Sequence, residues 1–380
     1  MEISARELNR ATLARQLLLR REPITVGDAV RRVVALQAQH PASPYVALWN
    51  RIAGFDPAEL DAAFADGTVV KATLMRITLH AVHGADHKGF REAMQETLYA
   101  SRLGHRFAAA GLTPEDAHRL LPELLRFTGR PRTAAELQGW LEERLGAEKK
   151  AGAWWGLKAY APLLHVPTGG PWSFGARASF VTAPTPPALP AGRTGVPEAL
   201  QDLVLRHLAA FGPASVADVA RFATVRRASV RRALDALDGA VEELTGPDGT
   251  ALFDLPGAPR PAADTPAPPR LLGMWDSVLL AHADRGRVLP PALRPLVIRV
   301  NGDVLPTLLV DGRVVGVWRP AEAGVEATAF EDLPGEAWTA LAAEARSLSA
   351  LLTAREPRAY AYYGHWWAKL PAGDVRLLPA

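Results

Sequence analysis

The sequence predicts an α+β fold in which three helix–hairpin modules stand in tandem ahead of a smaller β-rich unit. Three observations carry that prediction. Amphipathic helical stripes recur in groups, and each group is followed by short β-like runs. Two stretches rich in proline, residues 182–197 with five prolines and residues 256–270 with six, lack hydrophobic periodicity and read as extended connections. Beyond the second stretch, β-like apolar runs and tight-turn residues dominate. The 380 residues suffice for about two to four units of ordinary size. The expected units are residues 1–92, 93–182, 196–256 and 270–380.

The third module is the clearest. Over residues 198–211, Leu200, Leu203, Val204 and Leu208 form one helical stripe, which Gly212-Pro213 ends. Ser215 can cap a second helix over 216–222. A third helix covers 226–237, with Val230, Ala233, Leu234 and Leu237 on one face. Runs at 241–244 and 250–255 then flank the turn Gly246-Pro247-Asp248-Gly249. Helices followed by a hairpin in this order are the plan of a winged helix-turn-helix.

The same plan recurs upstream. In the first module a helix spans 4–19, Thr25 caps a second that runs to about Gln39, and Asp56-Pro57 opens a third over 58–65. Strands follow at 69–74 and 77–82. In the second module the pattern predicts helices at 114–127, 133–145 and 153–161 and strands at 163–166 and 173–181. The two predicted wings share a fragment, Leu79-His80-Ala81-Val82 against Leu164-His165-Val166. The last unit reads as strands at 296–300, 304–310 and 313–318, a helix at 335–352 and a strand or two over 360–370. Its hairpin, 304–318, turns at Asp311-Gly312, a pair suited to positive φ.

Composition excludes several classes. An apolar fraction of 48% with 22% charged residues is that of a globular chain, not a disordered one. The absence of cysteine excludes disulfides, thiol nucleophiles, zinc fingers and iron–sulfur clusters. No apolar leader follows Met1 and no run is long enough to span a bilayer, so a cytoplasmic protein without membrane contact is expected. Net charge is +3, yet 37 of the 43 basic residues are arginine. The codons of a GC-rich genome account for most of that bias, since Ala and Pro are abundant too; the remainder suits phosphate recognition.

The usual catalytic motifs are missing: no Gly-x-Ser-x-Gly, no phosphate-binding glycine loop, no His-Glu-x-x-His. His80, His83 and His87 have spacings a metal could use, but they run from a strand through a turn, so no metal is expected there. Arg221, Arg226, Arg227, Arg231 and Arg232 crowd twelve residues with no acid between them. They fall at and on the helix that enters the groove in helix-turn-helix proteins, and read equally as phosphate contacts or as a solvated face. The aromatic stretch 360–367 reads as a strand with one buried face, or as a platform for bases.

Gln37-Ala38-Gln39-His40-Pro41 is the most informative stretch. On a straight helix Gln37 and Gln39 point about 200° apart. Pro41 disfavours the α conformation at His40. If the backbone opens there, both glutamines can face one cavity, offering two acceptors and two donors but no titratable group. From residue chemistry alone, a polar helix end is the favoured reading of these residues.

Leu36-Gln37-Ala38-Gln39, the segment from Met75 through Arg76, Ile77, Thr78 and Leu79 to His80, and the segment from Pro306 to Gly316 together resemble the winged-helix DNA glycosylases of the AlkZ/YcaQ type. The resemblance covers nearly the whole chain. It implies tandem winged helices around a concave DNA-binding surface. It also implies monofunctional excision of N7-alkylated purines, including bulky adducts and interstrand crosslinks, from double-stranded DNA by a monomer without cofactor. In the AlkZ branch it implies self-resistance to azinomycin. The family's catalytic motif, Gln-x-Gln or Gln-x-Asp, falls on Gln37 and Gln39, and Gln39 favours the AlkZ branch because the YcaQ branch carries a carboxylate there. The hairpin implied in catalysis, and expected to contact DNA, falls on Val310, Asp311, Gly312, Arg313 and Val314, and the arginines expected on phosphates are Arg226, Arg227, Arg231 and Arg232. The bottom-up alternatives are a winged-helix transcriptional regulator or a structural DNA binder without catalysis.

Overall fold

A computed structural model describes residues 1–146, 152–186 and 198–380. Positions 187–197 of the first proline-rich connection lie outside them.

Helix α1 (Ala5–Arg15) starts at Ser4, whose side chain and Glu7 form a reciprocal cap, and it ends four residues before the predicted Leu19. Helix α2 (Val26–Val33) is capped by Thr25. The sequence predicts its continuation to Gln39; instead Val34 takes φ 71° and the chain leaves the helix. Strand β1 (Leu36–Gln37) follows, then α3 (Ser43–Trp49), every residue of which is buried. A helix buried on all sides carries no amphipathic stripe, which is why the sequence pattern does not reveal it. Helix α4 (Pro57–Asp66) opens with Asp56 as cap and Pro57 in its first turn, as the sequence predicts.

Strands β2 (Val69–Leu74) and β3 (Thr78–His83) form the first hairpin, and α5 (Gly84–Ala93), α6 (Gln95–Tyr99) and α7 (Arg102–Ala109) connect it to the next module. That module comprises α8 (Pro114–Phe127), β4 (Arg132–Thr133), α9 (Ala134–Leu145), α10 (Gly152–Leu157), β5 (Leu163–His165) and β6 (Ser179–Thr182). The two hairpins are not separate wings. Lys71 on β2 pairs with His165 on β5, giving one antiparallel sheet of order β1-β3-β2-β5-β6-β4.

Helices α11 (Glu198–Phe211), α12 (Val216–Ala223) and α13 (Arg227–Ala236) precede a hairpin of β7 (Glu242–Thr245) and β8 (Ala251–Asp254), and Ala214 bridges Phe253 on its edge. The C-terminal sheet has the order β13-β12-β11-β10-β9. Its strands are β9 (Arg270–Leu272), β10 (Thr307–Val310), β11 (Arg313–Ala321), β12 (Gly324–Ala329) and β13 (Asp374–Pro379). Helix α14 (Arg294–Val297), with Pro295 in its first turn, takes the first two residues of the stretch predicted as strand 296–300, and Ile298 makes only an isolated bridge to Val304. Helix α15 (Gly335–Arg355) packs on the sheet. The predicted strand at 360–370 is instead a run of 3₁₀ turns, Ala361–Lys369, that follows Tyr360 at φ 66°.

One hydrophobic core joins Leu13, Val30, Val46 and Trp49 to Leu271, Trp318, Leu341 and Leu378. The first and last stretches of the chain therefore fold around a single interior. Two buried ion pairs stitch α1 and α3 to later segments. Arg51, just past α3, donates from both terminal nitrogens to Asp276 at 2.8 Å, and both side chains are fully buried. Arg15 meets Asp254 of β8 at 2.6 and 2.8 Å. Removing one partner leaves the other charge stranded in a low dielectric. Asp276→Ala is expected to lower the unfolding free energy by about 3–5 kcal/mol, as measured by urea denaturation; a loss within the range of surface substitutions would remove this pair from the framework.

Candidate active site and nucleic-acid interface

The break at Val34 decides the geometry of the glutamines. Strand β1 pairs antiparallel with β3, Leu36 opposite Ala81 and Gln37 opposite His80. Ala38 N–H extends the ladder to Leu79 C=O at 2.7 Å. In extended backbone, residues two apart share a face. Leu36 and Ala38 thus enter the core, and Gln37 and Gln39 fall on the other side. Gln37 is buried and Gln39 is exposed at the rim.

The Gln37 side chain is fixed by neighbours to which the sequence alone assigns no role. Arg76 Nη2 donates to Gln37 Oε1 at 2.5 Å and lies 3.2 Å from His80 Nε2. His80 Nδ1 is 3.1 Å from Thr78 C=O, so Nδ1–H donates there and Nε2 accepts from Arg76. Burial, reinforced by Arg76, pushes the His80 pKa well below its ordinary value and keeps the ring neutral. Among the described residues no acceptor engages the amide nitrogen of Gln37, which is free to donate. The backbone that delivers Arg76 is strained: Arg76 and the β-branched Ile77 have φ 55° and 57°. Such residues cost about 1–3 kcal/mol each and persist where the surroundings impose them.

The remaining predicted residues fall elsewhere. Arg226, Arg227, Arg231 and Arg232 are exposed on and just before α13, while Val230, Ala233 and Leu234 of that helix are buried. Among the described residues none of these four arginines has a carboxylate partner. The Asp311-Gly312 turn has the predicted positive φ values, 45° and 77°, but it is docked on α1. Asp311 pairs with Arg6 at 2.8 Å and with the buried Arg10, and Asn9 Nδ2 donates to Gly312 C=O at 2.7 Å. A Cβ at position 312 would meet Asn9 and Leu13 at 2.5 and 2.6 Å. Val314 is buried, Val310 is half-buried and Arg313 is exposed. Asp311 and Arg313 border a groove of about 660 Å³ between α1, Asp248 and Arg287; neither glutamine lines it. The structure brings Gln37, Arg76 and His80 together, and groups the hairpin turn with α1.

His80, His83 and His87 do not converge: His83 caps α5 through Ala85 N–H, and among the described residues no three His, Asp or Glu side chains form a metal cluster. No described helix is long and apolar enough to cross a membrane. In the aromatic stretch, Tyr360 and Trp366 are buried and Tyr362 is 83% exposed. Tyr360 and Tyr363 flank His40, with ring centroids 4.8 and 6.1 Å away.

The model of the AlkZ-like DNA glycosylases matches residues 30–351, a span that includes Gln37, Gln39, Arg76 and the hairpin turn. The chain belongs to the AlkZ-like DNA glycosylase family. It is 29% identical over 353 residues to an interstrand DNA cross-link repair glycosylase of Streptomyces sahachiroi, covering 87% of this chain and 92% of that one. The solved structure of the Streptomyces sahachiroi DNA glycosylase AlkZ has the same fold, with a TM-score of 0.77 at 23% identity over 92% of this chain and 96% of that one. As a family member the chain is an enzyme that acts on DNA.

Buried histidines set the acid limit of this framework. Burial holds His40, His87 and His207 down at about 4, and His165 and His282 at about 3. Each is neutral in the fold but takes up a proton when unfolded below about pH 6.5, so unfolding binds protons and stability falls as pH drops through that value. The melting temperature is expected to decline steadily between about pH 7 and 5, before most carboxylates titrate; calorimetry across that window checks it, and a flat profile would mean these rings are solvated.

Proposed function

We propose that the protein is a monofunctional glycosylase that removes N7-alkylated purines, including bulky adducts and interstrand crosslinks, by water attack at the anomeric carbon. Tandem winged-helix modules present the duplex to Gln37 and Gln39. The name of the Streptomyces sahachiroi relative, an interstrand cross-link repair glycosylase, supports the crosslink substrate. Self-resistance to azinomycin-type crosslinkers is the biological role that fits such a substrate.

The observation that carries this reading is the fixed carboxamide of Gln37, with its oxygen held by Arg76 and its nitrogen free. Alkylation at N7 makes the purine cationic and a good leaving group, so strong protonation is unnecessary. The remaining task is to place water against an oxocarbenium-like sugar, as in glycoside hydrolysis. The second lone pair of Gln37 Oε1 and the nearby Gln39 amide suit that task. Pre-organised positioning of this kind can supply several kcal/mol.

Because neither amide titrates and His80 stays neutral, the excision rate on an N7-methylguanine duplex is expected to be flat between about pH 6 and 8. Gln37→Ala or Gln39→Ala should slow single-turnover excision roughly 10–1000-fold with little change in DNA affinity. The double variant should be less impaired than the product of the singles, because both amides serve one water. Single variants that excise at the wild-type rate, from N7-methylguanine and from a crosslinked duplex, would take both glutamines out of the reaction. Tight duplex binding without any excision by the wild type would favour a regulator.

The exposed face of α13 is assigned to phosphate binding. Replacing Arg227 and Arg231 by Gln should weaken binding to all duplex sequences. It should also flatten the salt dependence by about one slope unit for each phosphate released. An unchanged slope in a fluorescence titration series would turn this helix away from the DNA.

A further inference from the structure

Most buried arginines in this molecule have an acid: Arg51 has Asp276, Arg15 has Asp254, and Arg10 has Asp311. Two do not. Arg76 Nη1 and Arg285 Nε are shielded from solvent and have no hydrogen-bond partner. Among the described residues, no carboxylate lies within salt-bridge distance of Arg76, Arg285 or the exposed Arg221. All three lie within electrostatic reach of one another: burial, Arg285 and Arg221 together depress Arg76 to about 9, and burial, Arg221 and Arg294 depress Arg285 to about 10.

Three elements hold the cluster in place. Arg76 comes from the strained turn between β2 and β3, and its guanidinium lies 5.8 Å from the Phe222 ring. Arg221 precedes Phe222 on α12. Arg285 belongs to a loop whose backbone is pinned on both sides: Ala283 N–H donates to Asp218 Oδ1 at 2.7 Å, and Val288 and Leu289 donate to Arg285 C=O at 3.1 and 2.8 Å. Guanidinium is a donor only and stays charged, so a shielded group of them without an anion is an unmet demand for oxygen acceptors. A phosphodiester meets that demand with two charged non-bridging oxygens, each able to accept more than one N–H.

We propose that Arg76, Arg221 and Arg285 form a clamp for a single backbone phosphate on the strand carrying the lesion, and that the bound phosphate locks Arg76 in the orientation that holds Gln37. One guanidinium then serves two ends: Nη2 keeps the Gln37 carbonyl, and Nη1, enclosed in the free protein, is uncovered to the phosphate as the cluster opens to admit it. The link to Gln37 rests on the catalytic role proposed above; the clamp itself does not.

The test is a cycle between one arginine and one phosphate. The ligand is a duplex with a tetrahydrofuran abasic analogue, in which each phosphate flanking the analogue is replaced in turn by a neutral methylphosphonate. At one position the wild type should lose affinity about tenfold, and Arg285→Gln should lose nothing further there. On the all-phosphate duplex Arg285→Gln should lower the salt slope by about one unit, while Arg285→Lys retains most of it and both variants melt near the wild type. If the losses from Arg285→Gln and from methylphosphonate multiply at every flanking position, or if the salt slope of Arg285→Gln is unchanged, the clamp is wrong. Arg76→Lys keeps a charge for the phosphate but cannot bridge it to Gln37, so single-turnover excision should fall at least tenfold with the methylphosphonate effect preserved. Excision at the wild-type rate would break the link. Wild-type excision by Gln37→Ala would refute the catalytic reading alone, and the binding cycle would still decide whether the clamp exists.

Discussion

Two residue pairs, Leu36 with Ala81 and Gln37 with His80, are the constraint on which the candidate site depends. They exist because α2 stops at Val34 and the chain continues extended along the edge of β3. Were the helix continued, Gln37 and Gln39 would diverge and one would enter the core. The pairing also sets the row of neighbours: with Gln37 opposite His80, the turn after β2 brings Arg76 to the carboxamide oxygen. A two-residue strand has little stability of its own. It is held by a sheet that also contains the hairpin of the second module, through the Lys71–His165 pair.

Where the sequence carries local information, the fold is readable from it. Ser4, Thr25, Asp56 and Ser215 are caps as expected, since an oxygen side chain before an apolar period has one dominant use. Asp311-Gly312 turns as its φ preferences demand. What stays hidden is tertiary. Nothing near Val34 announces a helix break, because a valine at positive φ is imposed by the sheet it joins. Fusion of two hairpins into one sheet leaves no local trace either. Pro41 points to an opening of the backbone at the glutamines, yet the opening occurs seven residues earlier and for another reason. Of the site, the two glutamines are legible as a pair of amides; Arg76, His80 and Arg285 are not, since their meaning lies in who is missing around them. The docking of the Asp311-Gly312 turn on α1 likewise depends on Arg6, Asn9 and Arg10, separated from it by 301 to 305 positions in sequence.

The distribution of counter-ions separates framework from function. Where a guanidinium is a structural tie, a carboxylate answers its charge, as Asp276 does for Arg51, whose Nη1 also reaches the carbonyl of Ala47. The arginines without a carboxylate partner include those beside Gln37 and those on the outer face of α13. A chain of net charge +3 can thus hold strongly positive surfaces without an exceptional composition. The abundance of arginine, which codon bias explains well enough, says nothing about which arginines matter.

The shared interior of the first and last segments bears on how the molecule is made. Leu13, Val46 and Trp49 share their core with Leu271, Trp318 and Leu378, so these early helices leave the ribosome long before the surfaces that cover them exist. Synthesis at about 5–20 residues per second leaves them waiting for tens of seconds with apolar faces open. The middle segments, whose own cluster runs from Leu103 to Phe180, can close in that interval. Strand β13, more than 300 residues beyond β1, contributes Leu378 to the interior on which β1 rests, so that interior stays incomplete until β13 has emerged.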